Sequence, residues 1–248
     1  MPYPRQPSNM VRVQALHPFD EYVQQPDAHW RLAEAALLFA ADRYPRLVVT
    51  SYLAELDRFA RRVDHLGART PADQVRALRQ VLVEEERFFG NTTWYYDPRN
   101  SYLNEVLERR LGIPISLSVV WIDICQQLDW PFVGIGLPGH FIVGHRDAER
   151  RLWVDPFGGG RILLRGDCES LAAAACGDAK PLPDGAFVPI SPRAILVRML
   201  NNLRVMYVRQ EAWHYAIGVL RRLCALEPSR ADFQEHLQLA VNRLAHFN

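Results

Sequence analysis

From His29 onward the apolar positions of the chain recur at helical spacing. WRLAEAALLFAADRY sets Leu32, Ala35, Ala36 and Phe39 on one face and runs into Pro45. SYLAELDRFARRVDHLG repeats the pattern, with Leu53, Leu56, Phe59, Ala60 and Val63 as its stripe, Ser51 as N-cap and Gly67 as the stop. TPADQVRALRQVLVEEERFFG gives a third helix, capped by Thr70, with Pro71 in the first helical position and Gly90 past the end. Three amphipathic helices joined by short loops predict a bundle over 27–90. Ahead of it, residues 1–26 are rich in Pro and Gln and read as an extended lead-in.

The pattern changes after residue 90. Asp97-Pro98 is an N-cap followed by a first-turn proline, so RNSYLNEVLERRLG reads as a fourth helix. Asn100 and Asn104 fall one turn apart, as do Ser101 and Glu105, and Glu105 and Arg109. Two readings stand for this polar face: a solvated surface with an ion pair, or a set of side chains (Asp97, Asn100, Asn104, Glu105, Arg109) that bind or orient at a neighbouring site. Pro114 then starts ISLSVVWIDICQQL, which is apolar almost all round and therefore buried. Ser116 stands at its N-terminus, where free N–H groups and the helix dipole favour an anion.

After Trp130-Pro131 the period is that of strands: FVGIGL, HFIVGH and RLWVDPF, closed by Gly158-Gly159-Gly160. Pairing HFIVGH with RLWVDP around a loop centred on Asp147-Ala148 opposes Val143 to Leu152, Ile142 to Trp153, Phe141 to Val154, and His140 to Asp155. Opposed residues share a face with Cβ atoms about 5 Å apart, within reach of an imidazole–carboxylate hydrogen bond. Such a bond either orients a general base or closes the end of a hairpin structurally. ILLRGDCESLAAAACG follows as a short strand and an Ala-rich helix capped by Asp167.

Residues 181–192 form a Pro-rich connector, and 193–248 return to helical spacing. Counted from Val197, the residues Leu200, Leu203, Tyr207, Ala216, Leu220 and Pro228 fall where a tetratricopeptide repeat of about 34 residues puts its packing positions and terminal proline. One repeat with one further helix cannot bury its own face, so it should dock on the preceding domain.

Composition narrows the classes. A formal charge of +1 across 248 residues, with 49% hydrophobic content, fits a globular chain without the basic field that nucleic-acid binding needs. Lys180 is the only lysine, and the arginines alternate with Asp and Glu along helices. No segment reaches the roughly 18 apolar residues of a spanning helix, and the N-terminus lacks the apolar run of a signal peptide, so a cytoplasmic protein with no membrane contact is expected. The spacings of Cys125, Cys168, Cys176 and Cys224 fit neither a disulfide framework nor a zinc site, and nothing calls for a metal, nucleotide or other cofactor.

GNTTWYYDPRNSYLNEVLERRLGIPISLSVVWIDICQQL, LPGHFIV and VDPFGGGRIL resemble a family of bacterial proteins with a transglutaminase-like core and a C-terminal tetratricopeptide segment, described as putative regulators. The resemblance runs from about Trp30 to Pro228. It implies an α+β fold: an N-terminal helical bundle, a papain-like core over 91–180 with a small antiparallel sheet, and repeat-like C-terminal helices. In active members a cysteine opens the buried helix and a histidine and an aspartate follow on adjacent strands. By that resemblance His140 and Asp155 take the second and third places, whereas the first is occupied by Pro114-Ile115-Ser116. Cys125 lies nine residues beyond Ser116, on the opposite side of the helix. Cys168, in GDCE, imitates the helix-opening cysteine but follows the His and Asp in the chain. Three functions are thus expected to compete. They are a non-catalytic regulatory protein holding a peptide, protein or small ligand in the core cleft, a serine-dependent acyl transferase or hydrolase using Ser116, His140 and Asp155, and an interaction scaffold built on the repeat segment.

Overall fold

A computed structural model of the chain describes residues 17–147, 151–177 and 180–246. In order, its helices are α1 (Pro18–Tyr22), α2 (Leu32–Ala40), α3 (Val49–Asp64), α4 (Pro71–Leu78), α5 (Leu103–Arg109), α6 (Pro114–Gln127), α7 (Arg165–Cys176), α8 (Pro192–Arg209), α9 (Trp213–Leu226) and α10 (Ala231–His246). Strands β1 (Phe89–Gly90) and β2 (Leu111–Gly112) pair in parallel, and β3 (Phe132–Ile135), β4 (Ile142–His145), β5 (Leu152–Asp155) and β6 (Arg161–Leu163) form an antiparallel sheet in that order. Helices at both ends flank a small sheet, the α+β class that the resemblance implies.

α6 organises the molecule. Every residue from Pro114 to Cys125 is buried, so the helix has no solvent face on that stretch. Its one acidic side chain there, Asp123, is 0% exposed. Arg31, at the N-cap of α2, donates Nε and Nη2 to the two carboxylate oxygens at 2.9 Å each, and Gln127 donates to Oδ2 at 2.9 Å. The same guanidinium reaches Asp57 of α3 at 2.7 Å. Burial alone would make Arg31 release its proton more readily, but the bonds to Asp123 and Asp57 outweigh it and hold its pKa above the ordinary value. Thus one ion pair fastens the central helix to the N-terminal bundle.

The sheet lies between α6 and α7. Phe141, Val143 and Val154 join the main apolar cluster, which runs from α1 to α6 and on through α8, α9 and α10. Ile142, Trp153 and Leu163 join a second, smaller cluster with Cys168 and Ala172 of α7. The pairs across β4 and β5 are Val143 with Val154, Gly144 with Trp153 and His145 with Leu152, two residues away from the expected register. Gly144 explains the choice. A Cβ there would stand 2.4 Å from Ile135 Cδ1 and 3.3 Å from Trp153 Cδ1, so the missing side chain makes the room that the indole and Ile135 occupy. A slip of two leaves every side chain on its expected face. The centre of the loop falls among residues 148–150, outside the described residues, as does most of the 1–26 lead-in.

Other expected boundaries move for local reasons. α3 starts at Val49 with Val48 as its N-cap, which places Ser51 inside the first turn. Thr70 and Asp73 form the capping box of α4, but the helix widens into a π-helix over Arg79–Glu85 and stops before Gly90, which pairs with Gly112 instead. The fourth helix is broken: Asp97 caps a 3₁₀ turn, Pro98–Asn100, and Tyr102 is extended before α5 begins. Asn100 causes the break by giving its Nδ2 to the carbonyls of Trp94 and Tyr95, at 2.7 and 3.1 Å, so its side chain fastens to the preceding loop. Asp167 is the third residue of α7 and accepts from Leu164 N at 2.8 Å, so it closes the first turn from within. Among the described residues no helix is long and apolar enough to cross a membrane.

Because Asp123 has no solvent to turn to, Arg31→Met should cost about 3–5 kcal/mol by leaving a buried charge unpaired. The double variant with Asp123→Leu should regain most of that loss. Urea unfolding of both variants checks the cycle, and a single-variant loss under about 1 kcal/mol would show that the pair is no anchor.

Candidate functional site

His140 and Asp155 meet at the end of β5. His140 Nε2 lies 3.1 Å from Asp155 Oδ1, and the two residues are 9% and 2% exposed. They are not cross-strand partners, since His140 precedes β4 and its backbone N–H turns back to Leu137 O at 3.3 Å. The contact exists because Asp155 Oδ1 also accepts from Phe157 N at 3.1 Å, a tight turn that holds the carboxylate toward the histidine. Gly158 makes this turn possible, since a Cβ there would come 2.6 Å from Asp155 Oδ2. A carboxylate only accepts, so Nε2 is the donor in this contact.

Three contacts hold this pair from outside. Arg198 of α8 donates Nη2 to Leu137 O and to His140 O, each at 3.1 Å, which clamps the histidine loop to the C-terminal helices. The Phe157 ring stands edge-on to the imidazole with centroids 6.0 Å apart, and Tyr95 packs on Phe157 at the same distance. Trp94 and Tyr96 flank Tyr95 and are 73% and 67% exposed, which gives the pair an aromatic rim. None of Arg198, Phe157 and Tyr95 was singled out by sequence. Arg198 has no local signal, because its partners are carbonyls some sixty residues away, whereas the WYY run was a visible cue.

Ser116 serves the start of α6. It is 0% exposed; its hydroxyl donates to Asn100 O at 2.6 Å and accepts from Ile113 N at 3.1 Å. Gly112 leaves space for it, since a Cβ there would lie 2.7 Å from Ser116 Oγ. Asn100 in turn accepts at Oδ1 from Asn91 at 3.0 Å and from Arg109 at 3.1 Å. Hence Ser116, Asn100 and Arg109 form one buttress that ties the 91–100 loop to α6. Asp97 is engaged locally, accepting from Arg99 Nη2 at 2.7 Å. Asn104 and Glu105 line a different cavity with Tyr44 and Tyr52, so the five expected binding residues do not converge on one site. The largest cavity described, about 670 Å³, lies among Trp130, β3 and the 189–192 segment, and none of the expected site residues lines it.

The thiols are poor candidates for nucleophilic attack. Cys125 is fully buried, and burial raises its pKa far above the ordinary value. Cys168 is 0% exposed near the start of α7; burial, with the charges of Asp167 and Asp155, pushes it up to about 11. Cys176 is exposed. Among the described residues no group of His, Cys, Asp and Glu is arranged to hold a metal ion.

The buried stretch of α6, the antiparallel hairpin beside it and the His–Asp pair at the hairpin end are the arrangement that the resemblance to a transglutaminase-like core implies. Residues 50–201 match the family model of the transglutaminase-like superfamily, and the chain belongs to that superfamily. It is 35% identical over 226 residues to a UPF0162 protein of Xylella fastidiosa (strain Temecula1), covering 87% of this chain and 78% of that one. A UPF0162 protein of Pseudomonas aeruginosa is 33% identical over 189 residues, 76% of this chain and 68% of its own. Human F-box only protein 21 is 30% identical over 135 residues, which is 51% of this chain and 20% of that protein. No solved structure matches.

Two measurements check the site. Long-range ¹H–¹⁵N spectra should show His140 as the Nε2–H tautomer in the wild type, with the preference lost in Asp155→Ala; a wild-type Nδ1–H signal would contradict the geometry. Iodoacetamide at pH 8 should alkylate Cys176 at least about tenfold faster than Cys168, which stays protonated at that pH. Faster labelling of Cys168 would show that its thiol is activated.

Proposed function

We propose that this transglutaminase-like core is non-catalytic and acts as a regulatory binding protein, with the His140–Asp155 pair and the aromatic rim of Trp94, Tyr95 and Tyr96 as a surface for a peptide or small ligand. The observation that carries the reading is the Ser116 hydroxyl. By the resemblance it falls at the place of the nucleophile of active members, and it is wholly buried and bonded to the backbone of Ile113 and Asn100. A hydroxyl in that state has neither the exposure nor the base contact that attack on an acyl group needs. Cys125 and Cys168 offer no substitute, since both are buried thiols with raised pKa. On this reading the His–Asp contact keeps an ordered polar anchor at the end of the hairpin, and Phe157 and Tyr95 join it to the rim.

The serine-dependent alternative draws support from the His140–Asp155 contact alone. A fluorophosphonate probe, which labels serines activated by a neighbouring base, separates the two. We expect no labelling of the wild type and no amine transfer to an acyl donor peptide. Labelling at Ser116 that disappears in His140→Ala would overturn the proposal. For the binding half, peptides selected on the immobilised wild-type protein should lose at least about tenfold in affinity for Trp94→Ala/Tyr96→Ala, as aromatic anchors do.

A further inference from the structure

β3 is an outer strand, and its free edge is covered only in part. Arg146 N donates to Pro131 O at 2.8 Å, so Val133 and Ile135 are the residues of β3 that bond to β4, and the peptide groups of Phe132 and Gly134 turn outward. The 189–190 segment takes up one end of that edge. Ile190 N donates to Gly134 O at 3.0 Å, and Ile135 bridges Pro189 in the antiparallel sense. Carried two residues further in the same register, this pairing would set residue 192 opposite Phe132, with its N–H on the Phe132 carbonyl. Residue 192 is a proline: it has no N–H to give, and it opens α8, which takes the chain away from the sheet.

Phe132 O is thereby left without a donor among the described residues, although Phe132 is 3% exposed and its own N–H is bonded to Trp130 O at 2.8 Å. Carbonyls of buried residues are ordinarily bonded. The same outward edge borders the cavity of about 670 Å³, which Phe132 and Gly134 both line. Leu32, Ile122 and Ile195 give it a buried apolar floor, and Trp130 stands half-buried beside them. Asp129 and Arg146 line it as exposed residues, one charge of each sign, so the rim favours an occupant of no net charge. A small apolar molecule would fill the floor and leave the carbonyl unmet. An extended peptide meets both demands, because it turns an N–H to one edge at every second residue and its side chains to alternate faces. The edge already accepts chain in this form at Pro189 and Ile190.

We propose that the edge of β3 beyond the 189–190 segment binds an extended apolar peptide of a partner protein by strand addition. One peptide N–H donates to Phe132 O, at the place where the chain's own pairing meets Pro192, and an apolar side chain of the peptide enters the cavity between Trp130 and Ile195. The site is separate from the His140–Asp155 surface and does not depend on whether the core has lost catalysis.

The test is an NMR titration of the ¹³C,¹⁵N-labelled wild-type protein with acetyl-Val-Leu-Val amide, followed at the Phe132 carbonyl carbon and the Trp130 indole N–H. We expect saturable shifts at both. Counterparts N-methylated at one residue each identify the donor: methylation at one residue should weaken binding at least about tenfold, and methylation at its neighbour, whose N–H faces the other way, should not. Gln126→Trp, which fills the cavity from the α6 side, should weaken the unmodified peptide by a similar factor. No saturable shift at the Phe132 carbonyl, or equal binding of all the methylated peptides, would overturn the assignment. Binding that appears only after residues 1–16 are removed would make the chain's own lead-in the occupant, and a wild-type dimer that the peptide dissociates would make it a second copy; either result rules out the partner peptide. The comparison of peptides is made on the wild type, so it holds even if Gln126→Trp unfolds.

Discussion

A helix buried on every side over Pro114–Cys125 must settle its polar groups inside the protein, and α6 does so at both ends, although the Ser118 hydroxyl between them has no partner. At its start Ser116 bonds to the backbone of Ile113 and Asn100, and in its last turns Asp123 is held by Arg31 and Gln127. These two fastenings determine what surrounds the helix. The first fixes the 91–100 loop through Asn100, Asn91 and Arg109. The second draws α2 and α3 together through the shared guanidinium. Buried charges and hydroxyls are costly unless bonded, so neither arrangement can be loosened without exposing the core or stranding a polar group.

The same demand shapes the site. A superfamily nucleophile at the start of the buried helix must be unbound enough to attack, whereas Ser116 is the group that caps the helix. His140 and Asp155 are built differently: their geometry depends on the Asp155–Phe157 turn, on Gly158 and on the Arg198 clamp, none of which involves α6. The His–Asp pair therefore keeps its geometry independently of how Ser116 is bonded.

What sequence could convey follows from the range of each interaction. α6, the Thr70 capping box and the four strands rest on patterns a few residues long, and they form where the pattern puts them. The His140–Asp155 contact was legible for a partly mistaken reason. The register is off by two, but a slip of two preserves faces, and Asp155 then reaches His140 through its turn at Phe157 instead of across a ladder. The break at Ser101 and Tyr102 was not legible because helix spacing does not show that Asn100 turns back to the carbonyls of Trp94 and Tyr95, and the π-helix over Arg79–Glu85 and the Arg198 clamp were not because each answers a partner far away in the chain. The π segment packs against the glycine loop after Asp155: a Cβ at Gly160 would fall 2.5 Å from Arg79 Cγ and one at Gly159 3.8 Å from Val83 Cγ1. Nothing local to RQVLVEE encodes that meeting. Asn104 and Glu105, expected on one polar face with Asn100, lie apart from it because the broken helix turns them toward Tyr44 and Tyr52.

The C-terminal helices are not an appendage. Leu196, Met199, Leu200 and Leu203 of α8 lie in the same apolar cluster as Leu32 and Phe39 of α2 and Val119 and Trp121 of α6. Three polar links reinforce the seam: Arg193 to Asp27 at 3.0 Å, Arg222 to Asp42 at 3.0 Å, and the paired hydroxyls of Tyr102 and Tyr207 at 3.1 Å. Arg198 reaches the His140 loop from one side of α8, and Tyr207 reaches Tyr102, at the N-cap of α5, from further along the same helix. These two contacts, more than the repeat-like pattern of its sequence, make α8 the element that joins the two ends of the fold.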